Sequence, residues 1–178
     1  MAKFQYLSYF LDDKTPIYGG DSGIDIIKLN DISKGDTANT KRISFHNHSG
    51  THIDFPNHFL ENGKFSSDYE ADFWIFNNPY VIKINPDEDE IILLDTNLIE
   101  TIPKETDFLI LNTGFYKHRG SKKFWNNNPG ISPNLGKLLK LRCPNLRVLG
   151  MDTISLTSYQ NRILGRESHR KFLGDRKS

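Results

Sequence analysis

Ser132-Pro133-Asn-Leu-Gly-Lys-Leu-Leu-Lys-Leu141 lies between two apolar runs, Phe108-Leu-Ile-Leu111 and Arg147-Val-Leu-Gly-Met151. The two runs have strand length. Leu135 to Leu141 reads as a short amphipathic helix, with Ser132 as its N-cap and Pro133 as its first residue. Strand, helix, strand in that order predicts a mixed α/β fold. Working outward, Tyr80 to Ile84 alternates apolar and polar until Pro86 and an acidic stretch end it. Ile91 to Leu94 is a further strand candidate. Ile43 to His48 reads as a short strand entering a loop. Tyr159 to Leu173 has no proline and is rich in Arg and Leu, so a helix is expected there. Near the start, Pro16 and Gly19-Gly20 mark turns between the aromatic run Phe4 to Phe10 and the apolar run Ile24 to Leu29. No repeat or low-complexity linker interrupts the chain, so residues 1–178 are expected to form one domain.

Composition bounds the function. The chain has 178 residues, a length that suits a single domain able to bury its own core. Its 12 Phe, 7 Tyr and 2 Trp are too many for a disordered segment. Lys and Arg total 23 against 22 Asp and Glu, which excludes a protein built mainly to coat nucleic acid. The mean hydropathy is -0.54, and no apolar run approaches the roughly 18 residues of a membrane span. Met1 to Phe10 lacks the apolar core of a signal peptide. Cys143 is the only cysteine, so no intrachain disulfide can form; it is expected to act as a small buried hydrophobe. These features predict a soluble cytoplasmic protein. Residues 162–178 carry six basic and two acidic side chains, read as a solvated helix face and a frayed end.

Four of the six histidines fall close together, in His46, His48-Ser-Gly-Thr-His52-Ile-Asp54-Phe-Pro56-Asn-His58. Imidazole nitrogen and carboxylate oxygen are ligands that zinc, manganese and iron share. In an extended segment residues two apart face the same way, so His52 and Asp54 share a side. His48 has the same parity, and Gly50 can bend the backbone to bring its ring to the same point. Pro56 biases Phe55 toward an extended conformation and carries the chain on to His58. Three ligands with coordination positions left over is the pattern of a catalytic metal. His46 reads as a strand residue or an outer partner. Outside the cluster, His118 sits in the basic run Lys117 to Lys123 and is expected at the surface. Phe59, Phe65, Phe73, Trp74 and Phe76 suit either core packing or the wall of an aromatic pocket.

The string from His48 to His58 resembles the signature of the cyclase-like metal-dependent hydrolases, the family of bacterial kynurenine formamidase and isatin hydrolase. Further segments resemble it in the same order. Pro16-Ile-Tyr-Gly-Gly-Asp21 resembles the family's N-terminal turn. Asn112-Thr113-Gly114-Phe115 resembles its Arg-Thr-Gly-aromatic segment, with Asn for Arg. Pro129-Gly-Ile-Ser-Pro133 resembles its helix start, Gly150-Met-Asp152-Thr-Ile-Ser155 its strand end, and Gly165-Arg-Glu-Ser-His169 its late helix. The resemblance implies a mixed β-sheet with flanking helices, of the swivelling β/β/α type. It implies that His48, His52 and Asp54 hold a divalent metal, zinc or manganese. Asp54 would bridge to a second metal held also by His169 and a later Glu. His58 would be the catalytic acid or base, acting on an amide such as an N-formylkynurenine-type formamide or a cyclic amide. A small-molecule substrate and a homodimer or higher homo-oligomer are implied as partners. Two further departures bear on the metals: Thr157 stands where members often have Asp, and Asp175 is the only carboxylate after His169. Those departures leave one or two metals per chain open. They also leave open an alternative, a catalytically impaired member that acts in binding or subunit assembly.

Overall fold

The computed structural model describes residues 6, 8–20 and 23–174. Phe4 of the aromatic run, Asp21 of the N-terminal turn and the tail from Asp175 lie outside the described residues. The chain forms two compact units, Met1–Asp54 and Phe55–Ser178.

The first unit is built on an antiparallel hairpin of β1 (Ile24–Asn30) and β2 (Thr40–Phe45). Ile24 pairs with Phe45 and Ile26 with Ile43, which puts four apolar side chains on one face. A register shift between Lys28 and Asn30 bends the ribbon before its turn. In that turn the Asp31 carboxylate caps the Ser33 N–H at 3.0 Å and pairs with Lys28. The ion pair with Lys28, then the hydrogen bond from Ser33, hold the Asp31 carboxyl below the ordinary range. β2 begins and ends earlier than the expected Ile43 to His48. Its start is set by pairing with β1, where Thr40 opposes Asn30. Its end is set by a turn, closed when the Ser49 N–H donates to His46 O at 3.0 Å.

The second unit contains, in chain order, β3 (Pro79–Lys83), β4 (Ile91–Ile92), α1 (Thr96–Glu100), β5 (Phe108–Asn112), α2 (Lys122–Asn126), β6 (Gly130–Ile131), α3 (Pro133–Arg142), β7 (Val148–Met151) and α4 (Arg162–Leu173). Strands β3, β5 and β7 form a parallel sheet in that order, and β4 pairs in parallel with β6. Parallel and antiparallel sheets with flanking helices are the mixed α/β class expected from the strand and helix order. The core gathers Leu109 and Leu111 of β5, Leu135 and Leu139 of α3, Ile82, Ile92, Ile102, Ile131 and Cys143. Leu135 and Leu139 are one helical turn apart and fully buried, each contributing roughly 2–3 kcal/mol by area removed from water. Cys143 is buried as expected, and burial pushes its thiol pKa up.

Three boundaries and one exposure differ from expectation for visible reasons. β4 stops at Ile92, because Asp95 turns to cap α1 by accepting the Leu98 N–H at 2.8 Å. α4 begins at Arg162, not Tyr159. The Tyr159 N–H donates to Asn128 Oδ1 at 3.3 Å and Gln160 Nε2 to Asn126 O at 3.0 Å, which hold these residues outside the helix. β7 starts at Val148, since the Arg147 N–H is taken by Asp107 O at 2.9 Å. His118 is half-buried, its ring packed against Phe115 at 5.0 Å. The N-cap at Ser132 is as expected, its hydroxyl accepting from the Asn134 N–H at 3.3 Å. Among the described residues no helix is long and apolar enough to cross a membrane.

Candidate metal centre

After β2 the chain turns at His46–Ser49, bends on through Thr51 and reaches Asp54 without regular secondary structure. Gly50 makes the change of direction with φ 66°, a left-handed conformation that favours glycine. A Cβ at this position would also stand 2.8 Å from Leu11 Cδ1, which would have to move aside. Beyond the bend, His52 and Asp54 share one side of the chain while Ile53, between them, is exposed.

The result is a convergence of donor atoms. His48 Nδ1 lies 2.8 Å from Asp54 Oδ1, and His52 Nε2 lies 3.5 Å from the same oxygen. The two rings meet edge to face at 5.0 Å between centroids. His52 Nδ1 faces Gly50 O at 3.0 Å. A carbonyl only accepts, so Nδ1 carries the proton and the lone pair of the neutral ring falls on Nε2, toward Asp54. The hydrogen bond to Asp54 raises the His52 pKa above its ordinary value; burial opposes that rise without cancelling it. His48 Nε2 meets the Asn47 side-chain amide at 3.1 Å. As placed, Asn47 Nδ2 donates to Nε2 and the His48 proton sits on Nδ1, facing Asp54; with the amide turned over, its oxygen would take a proton from Nε2 and leave Nδ1 to bind a cation.

These residues fit a divalent cation. At bond lengths of about 2.0–2.2 Å, two ligands on one tetrahedral ion stand roughly 3.3–3.6 Å apart. The His52 Nε2–Asp54 spacing of 3.5 Å falls in that range, and the His48 Nδ1–Asp54 spacing of 2.8 Å is shorter and would open to admit the ion. Two imidazoles and a carboxylate suit zinc or manganese.

In the second unit, His58 closes the 3-10 turn Pro56–His58 and is exposed. Its ring packs edge-on against Phe59 at 4.5 Å and lies 6.0 Å from the ring of His169. His169, on α4, is 5% exposed. Phe59 stacks on it at 4.3 Å. His169 Nδ1 faces Gly165 O at 2.8 Å, one helical turn back, which again places the neutral ring's lone pair on Nε2. His58 and His169 are thus neighbours, as are His48, His52 and Asp54. Of the aromatics, Phe73 and Trp74 pack with Phe55 and Tyr69, Phe76 packs on Phe108, and Phe65 is exposed.

Sequence reading alone did not single out Asp152 as a tie between strand ends. Its carboxylate accepts from the Thr113 N–H at 2.8 Å, the Thr113 hydroxyl at 2.5 Å and the Gly114 N–H at 2.8 Å. It locks together the carboxyl ends of β5 and β7, the edge at which parallel sheets place ligands. Asn128 was missed too. It is fully buried and bonded to Thr157 O and the Tyr159 N–H. A polar residue in the segment Asn126-Asn-Asn128, just before Pro129-Gly, was the available signal.

Comparison with known proteins follows the same lines. The chain is 29% identical over 157 residues to the kynurenine formamidase of Geobacillus thermodenitrificans, covering 86% of this chain and 71% of that one. It is also 29% identical over 108 residues to an uncharacterized protein of Haemophilus influenzae, covering 59% and 76% respectively. Its fold matches the solved structure of a "potential metal-dependent hydrolase with cyclase activity" with a TM-score of 0.66, at 16% identity, over 93% of this chain and 75% of that one. A family model described as "Putative cyclase" matches residues 6–158, which takes in the donor cluster, the parallel sheet and the Asp152 tie. The chain belongs to the Cyclase family.

Proposed function

We propose that this chain is a metal-dependent amidohydrolase of the arylformamidase type. Its substrate would be an N-formylkynurenine-like formamide or a cyclic amide. The observation that carries this reading is the approach of His48 Nδ1 and His52 Nε2 to one oxygen of Asp54. The kinship with a kynurenine formamidase supports the choice of an amide. His48, His52 and Asp54 would hold a divalent cation, zinc or manganese, and His169 would be a ligand of the second ion where two are bound. When bound, such an ion supplies Lewis-acid polarisation of a carbonyl and lowers the pKa of water.

The chain's own residues supply the rest. Gly50 O orients His52 through Nδ1, and the Asn47 side chain holds the His48 ring at Nε2. His58, exposed and four residues beyond Asp54 in the sequence, is the group that moves a proton from water to the leaving nitrogen. An imidazole suits that work because its ordinary pKa lies near neutral pH. Phe59, stacked on His169, keeps water from one face of that ring.

We also place the protein in the cytoplasm, where its single buried thiol stays reduced. It would act there as a homodimer or larger homo-oligomer. Support for assembly comes from the hairpin, where Ile26, Ile43 and Phe45 share one face and are exposed.

The test is hydrolysis of N-formylkynurenine by chelator-stripped protein before and after zinc or manganese is returned, with metal per chain measured alongside. Activity that returns with stoichiometric metal is expected. A chain that takes up no metal sinks the proposal and leaves the role in binding or assembly.

A further inference from the structure

Thr157 precedes α4 in the chain, and the structure gives it a definite place. Its backbone is fixed at both ends. The Thr157 N–H donates to Ser155 Oγ at 3.1 Å, and Asn128 Nδ2 donates to Thr157 O at 2.8 Å. Asn128 is fully buried, so its amide needs these partners; it also donates to Pro129 O at 3.1 Å and accepts from the Tyr159 N–H at 3.3 Å. The Thr157 hydroxyl then lies 3.2 Å from His169 Nδ1.

α4 is shaped to allow that contact. A Cβ on Gly165 would stand 2.3 Å from Thr157 Oγ1 and Cγ2, so only glycine lets the helix come this close. The same Gly165 offers its carbonyl to His169 Nδ1 at 2.8 Å. One residue before His169, the Ser168 hydroxyl donates to Ile131 O at 2.5 Å and pins the helix to β6. The imidazole therefore meets two oxygens at one nitrogen, a side-chain hydroxyl and a helix carbonyl.

We propose that Thr157 is the positioning residue of His169. Its hydroxyl shares the Nδ1 proton with Gly165 O, fixing the tautomer and the ring plane in which Nε2 serves as a metal ligand. A neutral hydroxyl here does by geometry what a carboxylate would do partly by charge. Asn128 and Gly165 act through Thr157, one by holding its backbone and one by making room for its side chain. The inference rests on His169 being a ligand, as proposed above.

Cobalt(II) titration of the metal-free full chain, followed by visible absorption, tests it. Loss of an outer hydrogen-bond partner weakens metal binding by about tenfold to a hundredfold. Thr157→Val should show a loss of that size, and Thr157→Ser should keep the parent affinity and spectrum. Simple packing predicts the reverse order, since Val matches the shape of Thr and Ser does not; that order overturns the proposal. His169→Ala separates the two claims. If it lowers affinity while Thr157→Val binds as the parent does, only the role of Thr157 falls. If His169→Ala binds cobalt with the parent affinity and spectrum, His169 is no ligand and both fall. A readout that needs no variant is the nitrogen NMR of His169 in the parent chain. A protonated Nδ1 in the neutral ring is expected, and a protonated Nε2 overturns the proposal even where Thr157→Val folds poorly.

Discussion

His58 and His52 carry similar rings, yet their surroundings assign them different work. His58 is exposed at the end of a short turn. His52 is half-buried, with Nδ1 committed to Gly50 O and Nε2 facing Asp54. Replacing His58 with Ala should leave metal content unchanged and lower kcat about a hundredfold or more, the usual contribution of a positioned acid or base. Steady-state assays with metal analysis on the same samples check it, and a parent-like kcat refutes the role. His52→Ala should instead lower bound metal per chain, measured by equilibrium dialysis against zinc. The pair His52 and Asp54 was legible in sequence because extended backbone repeats every two residues, and Gly50 announced the bend that brings in His48. Asn128 and Thr157 were not legible as a pair, because their bond joins residues 29 apart in the chain. No local period encodes such a contact.

At the scale of elements, β5 and β7 are clasped at their amino ends by Asp107 and Arg147. The Asp107 carboxylate accepts from the Asn77 and Asn78 N–H groups at 2.9 and 3.1 Å and meets Arg147 at 3.3 Å. Arg147 also donates to Phe73 O at 2.6 Å and Ile75 O at 2.7 Å, and lies over the rings of Phe73 and Phe76. Burial alone would raise the Asp107 pKa, but these donors hold it below its ordinary value. A carboxyl depressed on folding stabilises the protein fully above its unfolded pKa of about 3.9, and that contribution is lost as pH falls through the lower folded value. Urea unfolding of the parent should therefore lose stability below about pH 4 more steeply than unfolding of Asp107→Asn, which has no proton to take up. Equal slopes would remove Asp107 from the acid response. The cap of α3 gives a second measurement: Ser132→Ala should cost about 1 kcal/mol in the same assay. That cap was readable because Ser-Pro before a leucine-rich run is a local signal. The start of α4 was not, because Asn128 and Asn126 hold Tyr159 and Gln160 out of the helix from a distant loop.

For the molecule as a whole, the division after Asp54 matters most, and the sequence around it carries no glycine- or serine-rich linker to announce it. The first unit is lightly built. Of the thirteen residues in β1 and β2 only Ile24 is buried, and a lone two-stranded hairpin is marginally stable in water. The second unit has the continuous core. His48, His52 and Asp54 all belong to the weaker unit, so a cation they hold should stabilise mainly that part of the chain. Binding to the folded state alone adds about 2.7 kcal/mol at a metal concentration a hundredfold above Kd. Hydrogen exchange with and without zinc should show the gain in residues 40–54, with the slow amides of β5 and β7 changing far less, since they already report the stable core. In His52→Ala the added zinc should leave residues 40–54 as they were. Protection that rises equally in both units would mean the two unfold as one cooperative body, and the hairpin would then draw its stability from the core instead of from the metal.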